Sequence, residues 1–237
     1  MGTTGRFART GTRAGVLAAG ALLLAVGCSG GGDGDSGAAK DDPNLLRGFR
    51  SWLKTNDSER DDALAGHALH ISLDYLPGDR DGVVKVLTDY GPWGEAEGQV
   101  GPLAEAFTEW WDEDPAAGSA RILGQGGKTA KTLTLYDGDE PSNLADEFRS
   151  WTAKNSPGGA RLAPHVTELT IGYGAKGAGA VTVATDYLTY KDKKTRQNLD
   201  ALGKAFADWW DGDEGAGTVT VTSEDQGTRA VRKLTRP

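Results

Sequence analysis

The sequence predicts an α+β fold of two tandem repeats, each α-β-β-α-β-β with an antiparallel sheet and two helices packed on one face. Three observations predict it. Phe49-Arg50-Ser51-Trp52 returns 99 residues later as Phe148-Arg149-Ser150-Trp151. Thr88-Asp89-Tyr90 returns 97 residues later as Thr185-Asp186-Tyr187. Phe107, Trp110, Trp111 and Asp112 return as Phe206, Trp209, Trp210 and Asp211. His67 and Tyr75 find matches in His165 and Tyr173, in the same order. A shared order and spacing of this length marks an internal repeat. The modules are expected over residues 43–137 and 142–237, joined by an acidic stretch, Asp137 to Pro141.

Each element is read twice. Leu45, Phe49 and Trp52, like Leu144, Phe148 and Trp151, stand at helical steps of four and three. Asn44 and Asn143 precede these runs as N-caps. Ile71, Leu73 and Tyr75 alternate with polar residues, as do Leu169, Ile171 and Tyr173, so each triplet is a half-buried strand. Turn residues lead from these strands to Val84, Val86 and Thr88, and to Val181, Val183 and Thr185, giving a hairpin in each module. A second helix carries Val100, Leu103, Phe107, Trp110 and Trp111, matched by Leu199, Leu202, Phe206, Trp209 and Trp210. These bulky aromatics fall on one apolar stripe and read as core. Each module closes with a second hairpin, around residues 125–128 and 224–227.

The start of the chain has a different character. Arg6, Arg9 and Arg13 precede an apolar run from Gly15 to Val26, then Gly27 and Cys28. A basic start, a short apolar core and a small residue make an export signal, over residues 1–27. The apolar run is shorter than the ~20 residues that span a bilayer. Leu24-Ala25-Val26-Gly27-Cys28 resembles the lipobox of bacterial lipoproteins. That resemblance implies cleavage before Cys28, a diacylglycerol on its thiol, and a place on the extracytoplasmic face of the cell membrane. Residues 28–42, rich in Gly, Ser and Asp, read as a flexible tether with a root-mean-square reach of roughly 20 Å.

Composition then excludes several function classes. Cys28 is the sole cysteine, so no internal disulfide is available and the fold must stand on its core. Without the signal the chain holds 23 basic and 34 acidic residues, net −11. Such a protein is a poor general binder of nucleic acid or anionic lipid. The charge is uneven: residues 43–137 carry −7 and residues 142–237 carry +1.

Few motifs carry chemistry. Gly124 to Thr129 (GQGGKT) superficially suggests a phosphate loop, but Ile122 stands where the pattern needs glycine and β-type sequence follows the lysine. It reads as a turn. His67, His70 and His165 are too few and too scattered for a zinc site. Acidic clusters follow the paired tryptophans, at Asp112-Glu113-Asp114 and at Asp211, Asp213 and Glu214, with a spacing unlike calcium loops. No metal, no cofactor and no catalytic motif is expected, and the protein reads as a non-enzyme. The candidate partner-binding residues are Lys191, Lys193, Lys194 and Arg196, where the first module has Glu95 and Glu97, together with the loop aromatic Trp93. The expected role is binding or scaffolding at the cell envelope, with an anionic polymer or a protein as partner. The alternatives are a small-ligand carrier using a cleft between the modules, and a hydrolase with an unrecognised site.

Overall fold

The computed structural model describes residues 44–234, apart from 57, 92–95, 112–115, 136–142, 176–177, 189–192 and 211–215. Cys28, the signal, the tether, the acidic clusters, Trp93 and Lys191 lie outside the described residues.

Helix α1 (Leu45–Asn56) begins at Asn44, whose Oδ1 accepts from Arg47 N at 2.9 Å. Leu46, Phe49 and Leu53 on its inner side are buried. A further helix, α2 (Ser58–His67), goes beyond the expected elements, because SERDDALAGH has no apolar stripe to announce it. Strands β1 (Ala68–Tyr75) and β2 (Val83–Thr88) form the expected antiparallel hairpin. Helix α3 (Ala96–Trp111) leads to β3 (Ser119–Leu123) and β4 (Thr129–Thr134), a second antiparallel hairpin.

The later part follows with α4 (Leu144–Asn155), a short α5 (Gly159–Leu162), β5 (Val166–Tyr173), β6 (Gly179–Thr185), α6 (Lys193–Trp209), β7 (Ala216–Thr222) and β8 (Arg229–Lys233). Asn143 caps α4, its Oδ1 accepting from Ala145 N and Asp146 N. The GQGGKT segment is a tight turn in which Gly126 and Gly127 take φ of 81° and 74°, conformations that glycine adopts without steric cost. A strand, not a helix, follows its lysine.

The mixed α+β class holds, but the sheet differs from the expectation in two ways. All eight strands join one sheet, in the order β4-β3-β2-β1-β5-β6-β7-β8. The sheet is also not purely antiparallel, since β2 runs parallel to β3 and β6 parallel to β7. The physical reason is the helix between each such pair. A crossover of helical length carries the chain back to the end at which the previous strand began, so the next strand runs the same way. The hairpins are legible locally; their joining is not.

The middle of the sheet is the antiparallel pair β1–β5, with Leu73 opposite Ile171, Ile71 opposite Tyr173 and Tyr75 opposite Leu169. All six are buried, and register places them on one face with Val84, Val86, Ala120, Ile122, Val181, Val183, Val219 and Val221. The long helices fill that face. Phe49 meets Phe107 at 5.1 Å between centroids, and Phe148 meets Phe206 at the same separation. Trp110, Trp111 and Trp210 are buried beside them, and Trp209 packs partly buried on the same core. The paired aromatics are therefore core, as their helical spacing requires.

Two buried asparagines tie the halves together. Asn44 Nδ2 donates to Gly174 O in the β5–β6 turn at 3.1 Å. Asn143 Nδ2 donates to Leu76 O and Asp79 O in the β1–β2 turn, both at 2.8 Å.

Candidate functional site

The opposite sheet face is polar, and register orders it into rows. One row reads Thr132, Arg121, Lys85, Ser72, Gly172 and Ala180. The next reads Thr134, Ser119, Val83, Asp74, Thr170, Thr182, Thr220 and Val231. Most of these side chains are exposed or half-buried; Ser72 and Asp74, at the centre, are shielded. Alternation in the sequence puts short polar residues here because the other side of each strand holds the valines and isoleucines of the core.

At the centre of this face Asp74 forms an ion pair with Lys85. His70 lies over Gly172, where a Cβ would come within 3.2 Å of the ring. Burial pushes the His70 imidazole below its ordinary value of 6.5, against the opposing pull of the Asp74 carboxylate. No nucleophile paired to a base is found in this cluster among the described hydrogen bonds.

Two histidine corners repeat a second arrangement. His67 Nδ1 lies 2.6 Å from Asp89 Oδ1, and the ring stacks on Tyr90 at 4.4 Å. His165 Nδ1 lies 2.6 Å from Asp186 Oδ1, and its ring stacks on Tyr187 at 4.2 Å. Backbone bonds run alongside, from Asp89 N to His67 O and from Asp186 N to His165 O. Each corner sits where the strand register shifts, at Ala68/His70 and at Val166/Glu168. The dyads fasten an irregular strand entrance, a structural use of histidine. Burial, helped by the Asp89 charge, raises the Tyr90 phenol; burial raises that of Tyr187 too, with Arg161 opposing and Asp186 assisting. Among the described residues no three His, Cys, Asp or Glu side chains gather around a metal-sized centre.

Lys193, Lys194 and Arg196 lie exposed in the first turns of α6. The structure brings Arg196 to a residue that sequence reasoning misses, Arg229 at the start of β8. With Leu199, Asp200, Gly227, Thr228 and Ala230 they line a solvent-open groove of about 330 Å³. Asp200 also lies 3.8 Å from Arg232 Nη2. No sequence signal joins positions 196 and 229; only the packing of α6 on the edge strand does. A second open groove, about 290 Å³, lies along α1 and meets Ala175 of the later half.

No protein-family model matches the chain, and no curated protein matches it. Among solved structures the chain resembles the crystal structure of a "Sex pheromone staph-cAM373 precursor". The alignment covers 70% of this chain and 75% of that one, at 10% identity and a TM-score of 0.21. A resemblance that slight transfers neither fold nor function.

Proposed function

We propose that this chain is a lipoprotein held through a diacylated Cys28 on the extracytoplasmic face of the cell membrane, where it works as a non-enzymatic binding or scaffolding module. Its two halves we read as tandem copies of one α+β module, residues 43–137 and 142–237, fused side by side through β1 and β5.

One observation carries the binding role. Eight strands spread a broad polar face that is shielded mainly at its centre, while the apolar groups are consumed by a core on the other side. The α1 and α6 grooves are open to solvent. Small-ligand sites usually bury most of their ligand's surface in a cleft. A broad surface suits a polymer or a protein patch better than a sequestered small molecule. The anionic partner of this reading would meet the basic start of α6, where Arg196 and Arg229 share a groove.

Replacing Lys191, Lys193, Lys194 and Arg196 together with glutamine tests the assignment. Binding to cell-wall material in low salt should fall at least tenfold and should weaken in the parent as salt rises. Unchanged binding would remove the basic start of α6 from the proposed interface.

A further inference from the structure

Strand β8 ends the sheet, and among the described residues no strand lies on its outer side. Register decides which backbone groups are left there. Ser223 N donates to Thr228 O at 3.0 Å, and Leu234 N donates to Gly217 O at 3.0 Å. In an antiparallel pair, residues that exchange bonds alternate with residues whose N–H and C=O turn the other way. Thr228, Ala230, Arg232 and Leu234 therefore face β7. Arg229, Val231 and Lys233, opposite Thr222, Thr220 and Thr218, turn their backbone N–H and C=O groups outward.

The side chains of the same three residues stand on the polar sheet face. Arg229 and Lys233 are exposed, and Val231 between them is 59% exposed. The other edge, β4, is furnished differently. It sets Thr132 and Thr134 on the polar face, and its Leu133 packs against the core. Charge on an edge strand discourages pairing with a like strand. On β8 the charge is of one sign and flanks an apolar residue.

That pattern selects a partner strand. Side chains directly opposite each other across a strand pair attract when their charges are opposite and repel when they are alike. A second copy fits badly, because a two-fold pairing of β8 with itself about Val231 sets Arg229 against Lys233. A strand with acids opposite Arg229 and Lys233 and an apolar residue opposite Val231 fits well. Its side chain opposite Ala230 falls on the α6 side, where Arg196, Leu199 and Ala230 line the solvent-open groove. The acid of that groove, Asp200, lies 3.8 Å from Arg232 Nη2.

We propose that β8 is a docking strand: an extended acidic segment of a partner protein adds beside it, with the pattern acid-x-apolar-x-acid set against Arg229, Val231 and Lys233. The acidic partner belongs to the binding role proposed above. The choice of a protein strand over a polymer rests on the outward backbone groups of β8 alone.

The test uses the full chain in non-ionic detergent and the capped peptide Thr-Glu-Thr-Val-Thr-Glu-Thr. It follows amide hydrogen exchange at residues 229, 231 and 233. At about millimolar peptide, exchange at these amides should slow about tenfold. The same peptide N-methylated at its Glu and Val residues, which cannot donate to β8, should not slow it. Arg229→Glu with Lys233→Glu, at unchanged circular dichroism, should weaken the acidic peptide about tenfold and favour its lysine-for-glutamate counterpart. Equal slowing by the methylated peptide, or none by the parent peptide, would overturn the proposal. Cell-wall binding that falls in the α6 glutamine variant while the β8 amides stay unprotected would overturn the docking strand and leave the envelope role standing.

Discussion

Asn143 donates from Nδ2 to the carbonyl oxygen of Leu76, 2.8 Å away and 67 residues earlier in the chain. The other end of the same carboxamide caps its own helix, since Oδ1 accepts from Ala145 N and Asp146 N. Asn44 repeats the arrangement toward Gly174. A cap needs an acceptor, and the clasp needs a donor. Asparagine offers both from separate atoms, with two N–H donors for the two carbonyls and an oxygen left for the cap.

Aspartate at these positions should therefore cap without clasping. Asn143→Asp loses two donated bonds and sets a carboxylate against two carbonyl oxygens, so it should cost about 1–3 kcal/mol. Asn44→Asp loses its bond to Gly174 O and should destabilise in the same direction. Denaturant titration of both variants checks this; an Asn143→Asp protein as stable as the parent would contradict the clasp.

The halves share a continuous sheet and one buried cluster, so they should unfold together. Phe107→Ala removes a fully buried ring and should cost about 3–5 kcal/mol. Calorimetry should show one transition, shifted as a whole. Two resolved transitions, with only one displaced, would mean that the β1–β5 seam does not couple the halves.

Glycine substitutions separate tight from open positions. A Cβ on Gly159 would strike the carbonyl oxygen of Thr152, backbone against backbone, where α5 turns beneath α4. Gly159→Ala should cost about 1–3 kcal/mol through overpacking. A methyl group on Gly66, in α2, would meet nothing within 4 Å, and Gly66→Ala should add up to about 1 kcal/mol of helix stability. Thermal melts of the two variants should move in opposite directions.

His70 gives stability a dependence on pH. Its folded-state pKa lies below 6.5, so between that value and 6.5 the unfolded chain binds more protons than the native one. Stability should therefore fall as pH drops below 6.5. His70→Gln should flatten this slope without altering the fold. An unchanged slope would place the proton uptake elsewhere.

Much of this architecture is local and legible as sequence. Phe107, Trp110 and Trp111 announce a buried helix face by spacing alone, and Ile71, Leu73 and Tyr75 announce a strand. Alternation says which face a residue takes, however, and not which strand lies beside it. The parallel β2–β3 pair and the β1–β5 seam depend on contacts far apart in the chain, and no local pattern announces either. Asn44 and Asn143 are legible as caps, because a cap binds its own helix, but their Nδ2 contacts reach residues 130 and 67 positions away. The basic start of α6 is visible as a charge run; its meeting with Arg229 requires the fold.

Fractionation tests most directly whether a folded binding module is held at a membrane through Cys28. Cells expressing the parent protein or Cys28→Ala should be separated into membrane and soluble fractions, with the membranes washed in high salt. On the proposed anchor, membrane retention should depend on acylation of Cys28. The parent should remain with the membranes and Cys28→Ala should lose its salt-resistant, lipid-dependent attachment. A Cys28→Ala protein that stays in the washed membrane fraction, cleaved of its signal, would contradict the account.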